Sequence, residues 1–425
     1  MRDAVLNELF ETLTLRAGRN TTLVIAGTTL LGLAAGIVGV FALLRKRSLV
    51  ADALSHAALP GIAGAFLVMT LLGLDARAIP PLLAGAIITG VLSVWCIRAI
   101  TRHTRLREDA AIGIALSLFF GVGVVLLSVI QNTSPTGSAG LTAFIYGQAA
   151  TMQPGDVALM ASLACVAVIS AFLLVKEFAL VCFNDDFARV TGWPVSRLDL
   201  VMMALVTLVT VAGMQAVGLI LVVSLLIIPP VAARFWSERL RTMLVISGLI
   251  GGASAYAGAV TSAMLPDKPA GAVIVLCTGV AFVVSLLFAP KRGVLATALR
   301  QWRIRLRIAG DHLLEAASEH SDQRLDRAQV RALARLRGWS RPFRHSLLVS
   351  LQRRWAIRTL PGGVIELTSV GRKLGARIAR NHALWEQYLT SYADVAPSHV
   401  DWTVDQVEHV LSNDLVRELE AELDR

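Results

Sequence analysis

Residues 48–72 read SLVADALSHAALPGIAGAFLVMTLL, an apolar run long enough to cross a lipid bilayer. A helix crosses the hydrocarbon core with about 20 residues at about 1.5 Å each. Asp52 and His56 interrupt the run, and their spacing places both side chains on one face of a helix. Ionisable groups inside a membrane are costly and usually line a pathway or pair with one another. The run therefore predicts a membrane helix that carries a polar site.

Two roles for this polar pair remain open. A carboxylate and an imidazole are ligands that first-row divalent metal ions accept. The same two groups could instead hydrogen-bond to each other and only lock the packing of the helix. Pro60 and Gly61 follow one turn later. We expect them to break the helix, because non-helical backbone is tolerated inside a membrane where it lines a cavity.

The rest of the first 290 residues repeats the pattern of long apolar stretches. With 55% hydrophobic residues, the chain is too apolar for an ordinary soluble protein. We count nine spans, with eight as the alternative because the sixth and seventh stretches are nearly continuous. The stretches lie near residues 22–43, 48–72, 79–99, 110–131, 155–175, 200–215, 216–233, 243–264 and 270–289. They predict an all-α polytopic membrane domain over residues 1–290.

The charges between these stretches predict how the domain is oriented. Basic clusters alternate with poorly charged loops, and Lys and Arg are enriched on the cytoplasmic side of membrane proteins. The basic clusters lie at residues 45–47, 102–107, 176, 234–241 and 291–292. We therefore expect a multi-pass membrane protein whose basic loops face the cytoplasm. With nine spans, the chain starts outside and its C-terminal part lies in the cytoplasm.

Four stretches of this domain carry a resemblance to a known family. The sequence DALSHAALPG at residues 52–61 resembles the signature of the metal-ion permeases of ABC importers, which move manganese, zinc or iron(II). Three further stretches agree: EDAAIG at 108–113, FNDDFARVTG at 183–192, and VGLILV with IPPVAA within 217–233. The resemblance covers nearly all of residues 20–290.

The resemblance implies a protein of the bacterial cytoplasmic membrane and a transport mechanism with several partners. The permease would form a homodimer or heterodimer and accept metal from an extracytoplasmic binding protein. It would open when two cytoplasmic ATPase subunits close. Asp52 and His56 would be the metal ligands of the pathway. The segment from Glu177 to Asp199 would contain the helix that docks on the ATPase, the alternative being a mere surface helix. The docking residues implied are Asp185, Asp186, Phe187, Ala188 and Gly192.

The chain itself is expected not to be an enzyme. It contains no Gly-x-x-x-x-Gly-Lys-Ser/Thr loop of the kind that cradles nucleotide phosphates. ATP hydrolysis would then be carried out by a separate subunit. The implied ligands are divalent metal ions, with manganese, iron or zinc as the substrate and as a possible effector. No organic cofactor is implied.

The composition changes sharply after Pro290, where the density of charged residues more than doubles. We place a basic linker at residues 291–307 and a soluble domain after it. Within that domain, residues 324–380 are strongly basic and residues 381–425 are acidic. The basic part has the charge pattern of a nucleic-acid binder, but anionic membrane lipid attracts arginine as well. DNA and lipid therefore both remain candidate partners.

The order of elements in residues 308–380 predicts a winged helix-turn-helix. The predicted elements are a helix over 326–336, a turn at 338–340, a helix over 342–354 and a hairpin at Pro361-Gly362-Gly363. The second helix would be the recognition helix, although it carries few side chains suited to base readout. Its candidate DNA-binding residues are Arg341, Arg344, His345, Gln352 and Arg353.

A second resemblance covers residues 308–425. The stretches LTSVGRK at 367–373, RNHALWE at 380–386 and VEHVLS at 407–412 resemble iron- and manganese-dependent repressors. Residues 381–425 would be the helical part that senses metal and dimerises. The metal ligands carried over are His312, Glu315, His382, Asp405, Glu408 and His409.

Two of these carried-over ligands depart from the family's usual residues. His312 stands where an acidic residue is common, and Asp405 is one methylene shorter than the usual glutamate. Independently of the family, Asp405, Glu408 and His409 share one helix face and suit manganese, iron or zinc. A solvated acidic face would show the same pattern.

Two functional hypotheses follow from the sequence. The first is a metal permease whose attached sensor domain responds to cytoplasmic metal. The second is a metal-dependent DNA-binding regulator, tethered to the membrane or released by proteolysis in the linker. The metal itself is not decided. Ligands without cysteine favour manganese or iron, whereas the affinity order of divalent ions favours zinc.

Overall fold

The computed structural model describes Thr12 and residues 18–45, 48–74, 79–133, 153–265, 269–320 and 322–392. The chain divides into two compact units, Met1–Ala296 and Thr297–Arg425.

The first unit is built from helices. Eight helices of the described residues are long and apolar enough to cross a membrane, and one further apolar helix is shorter. The helices are α1 Arg19–Leu44, α2 Ser48–Leu71, α3 Ile79–His103, α4 Glu108–Thr133, α5 Pro154–Leu173, α6 Val175–Phe183, α7 Asp185–Val190, α8 Val195–Val217, α9 Leu219–Trp236, α10 Leu240–Met264 and α11 Ala270–Phe288. The prediction of an all-α polytopic membrane domain is confirmed.

The two nearly continuous apolar stretches form two helices. Gly218 separates α8 from α9 with a φ of 85°, a conformation that glycine adopts readily and other residues rarely do. The shorter apolar helix is α9, which accounts for the choice between eight and nine spans.

Helix α2 runs without interruption through Pro60, so the expected break at Pro60-Gly61 was wrong. Proline removes one backbone donor, but a lipid environment offers no water to replace lost hydrogen bonds, which favours keeping the helix. Gly61 also packs directly on the backbone of Gly85 in α3, where an added Cβ would meet the Gly85 carbonyl oxygen. This close contact holds the helix on its neighbour beyond the proline.

Filling that contact is expected to destabilise the protein. Gly61→Val would force a side chain against the Gly85 carbonyl, and overpacking of this kind costs about 1–3 kcal/mol. Gly64→Val is the matched control, because nothing lies within 4 Å of its added Cβ. Thermal unfolding of the purified protein should show a lower midpoint for the first variant than for the second. Equal midpoints would contradict the close contact.

Helix α1 packs through small residues on α10. Added Cβ atoms at Gly32 and Gly36 would meet the backbone of Gly251 and Ser247. Ser247 Oγ also donates a hydrogen bond to the Gly36 carbonyl oxygen at 2.6 Å. Small residues with interhelical hydrogen bonds are the usual means by which helices associate in membranes, where apolar burial provides little driving force.

The second unit begins inside a helix, Val294–Ser318, which covers most of the predicted basic linker. Its elements are α12 Val294–Ser318, β1 Arg324–Leu325, α13 Arg327–Leu336, α14 Arg341–Arg353, β2 Ile357–Thr359, a 3₁₀ turn Pro361–Gly363, β3 Ile365–Leu367 and α15 Ser369–Tyr392. Buried aliphatic residues of α12, α14 and the strands form a core of their own, including Leu313, Leu347, Leu351 and Ile365.

The predicted helix-turn-helix is confirmed, and local signals explain its boundaries. Asp326 caps α13 by accepting a hydrogen bond from the backbone N–H of Gln329, in a capping box. Gly338 turns the chain with a φ of 68°. Ser340 then caps α14 by accepting from the Phe343 N–H.

The predicted wing is also confirmed. Strands β2 and β3 pair antiparallel, and Gly362 and Gly363 between them both have positive φ. A third strand, β1, pairs with the other side of β3 to give the order β1-β3-β2. Sequence reasoning missed β1, since two residues show no periodicity.

An ion pair joins the outer strand to the centre of this sheet. Arg324 donates to Glu366 from two nitrogens, at 3.0 and 2.7 Å. This hydrogen-bonded contact lowers the pKa of Glu366.

Candidate metal pathway and coupling site

Asp52 and His56 lie on α2 with their functional atoms facing one another. The His56 Nε2 and Asp52 Oδ1 atoms are 3.6 Å apart. This distance exceeds that of a hydrogen bond. The Asp52 side chain is 39% exposed and the His56 side chain 25% exposed. Both donors are therefore accessible on one helix face, at a separation that one metal ion could bridge.

The neighbouring helix α4 positions the imidazole. The ring of Phe120 meets the His56 ring edge to face, with centroids 5.0 Å apart. Such contacts have a preferred geometry and hold the ring in place. Among the described residues, no group of three or more His, Cys, Asp and Glu side chains is placed to hold a metal ion. The described part of one chain thus supplies two side chains that could bind a metal ion at this position on α2, Asp52 and His56.

The predicted docking segment forms two short helices, α6 and α7. Asn184 caps α7 by accepting a hydrogen bond from the Phe187 N–H at 2.9 Å. Ala188 is buried and holds the helix on the protein, and Gly192 ends the segment with a φ of 83°. Asp186 is exposed.

The outer side of this segment is unusually apolar. Phe187 is 55% exposed and Val190 is 86% exposed, although both are hydrophobic. Phe183 and Trp193 flank them and are exposed as well. We call Phe183, Phe187, Val190 and Trp193 the coupling patch. Of these four residues, sequence reasoning had named Phe187. Exposed apolar groups clustered in this way are typical of surfaces that contact a protein partner or a membrane.

A partly buried network of charges includes Asp185, the first residue of α7. Arg45, at the end of α1, donates to Asp185 Oδ1 at 2.5 Å and to the Val181 carbonyl oxygen at 2.9 Å. Its other terminal nitrogen lies 3.3 Å from Asp199 Oδ1. Arg98 of α3 donates to the second oxygen of Asp199. We call Arg45, Arg98, Asp185 and Asp199 the charge quartet.

The electrostatics of the quartet favour the charged form of Arg45. Burial lowers the pKa of Arg45, but the hydrogen bond to Asp185 and the charge of Asp199 outweigh burial, so the net pKa is raised. The Asp199 side chain is only 7% exposed and touches two guanidinium groups. Buried charges persist in proteins when they are paired in this way.

Sequence reasoning missed three of the four members of this network as functional residues. Asp185 was among the predicted docking residues, but Arg45, Arg98 and Asp199 were not. Arg98 and Asp199 lie 101 residues apart in the chain, so their pairing could not be predicted. One signal was present: Arg98 is a lone arginine at the end of an apolar stretch.

The structure brings together two of the predicted sensor ligands. His312 and Glu315 lie on α12, with Nδ1 and Oε2 3.9 Å apart and both side chains largely buried. The side chain of His382 lies outside the described residues. So do Asp405, Glu408 and His409.

The candidate DNA-binding residues lie along α14. Arg341, His345 and Arg353 are exposed, and Arg344 is half-buried. Gln352 donates a hydrogen bond to Thr359 Oγ1 of the wing at 2.6 Å. A groove of about 450 Å³ runs beside the helix, lined by Leu306, His345, Ser346, Val349, Ser350, Arg353 and Arg354.

Comparison with known proteins assigns the membrane unit. The model of the ABC 3 transport family matches residues 19–289, which is more than half of the chain. The chain belongs to the ABC 3 transport family. A second family model matches residues 368–425: the metal binding and dimerisation domain of iron dependent repressors. Both resemblances drawn from the sequence are confirmed at this level.

Curated relatives of this ABC 3 family chain are membrane proteins of metal transport systems. The chain is 36% identical to the manganese transport system membrane protein MntC of Bacillus subtilis, covering 91% of this chain and 88% of that protein. It is 42% identical to the zinc transport system membrane protein TroC of Treponema pallidum, covering 67% of this chain and 93% of that protein.

A solved structure shares the fold of the membrane unit. The complex PsaBC from Streptococcus pneumoniae with Fab matches with a TM-score of 0.58 and 29% identity. The match covers 68% of this chain and 97% of that chain. This agrees with the helical membrane architecture described above.

Proposed function

We propose that this protein is the permease subunit of an ABC importer for a divalent transition metal ion, with manganese first and zinc or iron next. The observation that carries the proposal is the pair Asp52 and His56, two accessible metal donors 3.6 Å apart on a membrane helix. Mixed carboxylate and imidazole ligation suits all three metals. The names of the relatives, manganese for MntC and zinc for TroC, support the same substrate class.

A second permease subunit would complete the metal site. The described part of one chain places two donors at α2, whereas transition metals in proteins usually take four or more ligands. Two subunits related by a two-fold axis would present the same residues twice. Four donors around a central pathway would then hold the ion for a short time and release it.

The coupling patch supplies the surface for an ATPase subunit. Phe187 and Val190 project from a short helix that is fixed to the protein by a cap, a buried alanine and the charge quartet. A rigid helix with an exposed apolar side can transmit force from a partner. Basic clusters near residues 45 and 234 support a cytoplasmic position for this end of the unit.

The second unit would act as a cytoplasmic metal sensor of the permease. Its winged helix-turn-helix is followed by the segment that matches the metal-binding domain of iron dependent repressors. His312 and Glu315 lie together in the described part of the unit. Metal that enters through the pathway would bind this domain and report the cytoplasmic concentration.

The proposed activity is tested by metal accumulation. Cells that lack their own manganese and zinc importers would express the chain with its cognate ATPase and binding protein, and cell metal would be measured by mass spectrometry. We expect accumulation of manganese above that of cells expressing the ATPase and binding protein alone. If cells with and without the chain contained the same amounts of manganese, of zinc and of iron, the proposal would be refuted.

The sensor assignment predicts metal binding by the second unit alone. Residues 297–425 form a compact unit with its own core and can be studied separately. Calorimetry should detect manganese binding, and His382→Ala combined with Glu408→Gln should weaken it by about a hundredfold or more, since even indirect partners of a metal contribute about 10- to 100-fold. The exposed His320 provides the control variant His320→Ala. Unchanged binding in the double variant would rule these ligands out.

A further inference from the structure

We propose that Arg98 and Asp199 are positioning residues that transmit movement of the short helix α7 to the helix α2, which carries Asp52 and His56. The inference rests on the proposed function, because it assumes that α7 meets an ATPase and that α2 meets the metal. It assigns a role to charged residues that lie outside both of those surfaces.

The first link joins α7 to the membrane helices. The guanidinium of Arg45 contacts the carboxylate of Asp185 at the start of α7 and a carbonyl oxygen of α6. The same guanidinium reaches Asp199, one turn into α8. A displacement of α7 therefore pulls on Asp199 through a charged contact, which is stronger than a neutral one.

The second link joins Asp199 to α3. The two oxygens of this carboxylate are shared, one with Arg45 and the other with Arg98. Arg98 also donates to the Ser196 carbonyl oxygen at 3.3 Å, so it grips the first turn of α8 at two points. Asp199 is almost fully buried, and a buried carboxylate cannot exchange these partners for water without a large loss of free energy.

The third link joins α3 to the metal helix. Gly85 of α3 and Gly61 of α2 are packed backbone to backbone, so that an added Cβ on either would meet the carbonyl oxygen of the other. Close-packed interfaces do not deform gradually, and the two helices must move together. Gly61 lies on the same helix as His56, between one and two turns further along.

Together these contacts make one continuous mechanical path. It runs from Asp185 on α7 through Arg45 to Asp199, and from there through Arg98 to the α3–α2 pair. Coupling between distant sites is carried by charge networks and rigid elements of this kind. A substitution at Arg98 should leave α7 and the metal ligands of α2 intact. ATP hydrolysis should then continue while metal transport falls.

The test uses the complete transporter, reconstituted in lipid vesicles with its ATPase and binding protein. Metal uptake and ATP hydrolysis are measured in the same preparation for the wild type and for Arg98→Gln. We expect the number of metal ions moved per ATP to fall about tenfold, within the range of typical allosteric couplings. ATP hydrolysis and the amount of assembled complex should stay within twofold of the wild type.

Two further variants make the result specific. Arg102→Gln removes an exposed arginine one turn along the same helix and should keep the wild-type ratio. Arg98→Lys keeps the charge and should move more metal ions per ATP than Arg98→Gln, although fewer than the wild type. If Arg98→Gln does not assemble, Asp199→Glu tests the same link, since its added methylene shifts the contact without removing the charge.

The outcomes separate this inference from the proposed function. If Arg98→Gln moves as many metal ions per ATP as the wild type, the inference is overturned and the transporter assignment stands. The same holds for Asp199→Glu if only that variant assembles. An equal fall of uptake and ATP hydrolysis would also overturn it, because the residues would then only stabilise the protein. Absence of uptake by the wild type would instead overturn the proposed function.

Discussion

Asp52→Asn is expected to reduce metal accumulation by about a hundredfold or more, while the protein stays in the membrane. Asparagine keeps the shape of the side chain but loses the negative charge that attracts a divalent ion. Changes even in groups that only support a metal ligand cost about 10- to 100-fold. His56→Ala should have the same effect, because the imidazole is the second donor of the pair. The measurement is initial uptake of radioactive manganese, corrected for the amount of permease in the membrane.

The control for this prediction is a charge removed elsewhere in the same unit. Glu238 is 63% exposed and pairs with Arg292 at the surface. Exposed ion pairs contribute about 0–1 kcal/mol. Glu238→Gln should therefore transport normally. Normal uptake by both Asp52→Asn and His56→Ala would mean that the pair only shapes the helix packing.

Phe187→Ala is expected to weaken binding of the ATPase subunit by about 30- to 1,000-fold. Truncation of a buried aromatic anchor at an interface costs about 2–4 kcal/mol, and about 1.4 kcal/mol corresponds to tenfold in Kd. The helix itself should survive, because Asn184 caps it and Ala188 buries its inner side. Binding of the purified ATPase to the solubilised permease by biolayer interferometry would measure the effect.

A matched aromatic residue controls for the loss of surface area. Phe172, on α5, is 41% exposed and lies outside the coupling patch. Phe172→Ala should leave ATPase binding unchanged. Similar affinities for Phe187→Ala and the wild type would show that the ATPase binds elsewhere.

Most of the fold could be predicted because its signals are local. Each long apolar stretch became a helix, since a lipid environment leaves the backbone no alternative to internal hydrogen bonds. The winged helix was predictable for a similar reason. Asp326, Ser340 and the Pro361–Gly363 turn each act on residues within a few positions of themselves.

The candidate site was only partly predictable. Asp52 and His56 were visible because a charge in an apolar run stands out, whatever surrounds it. The continuous course of α2 through Pro60 was not, since it depends on a glycine of another helix that fits against Gly61. The coupling patch needed the structure as well. Phe183, Val190 and Trp193 look like ordinary apolar residues until their exposure is known.

The sequence by itself determined which segments enter the membrane, where the second unit begins its helix-turn-helix, and which polar pair lies within a span. These properties follow from the transfer of side chains between water and lipid and from turn geometry, which both act over short stretches of chain. The tertiary structure alone decided that Arg98 meets Asp199 and that Arg45 reaches Asp185, across 101 and 140 residues. Burial makes these pairings specific, because a charge removed from water is stable only beside its partner.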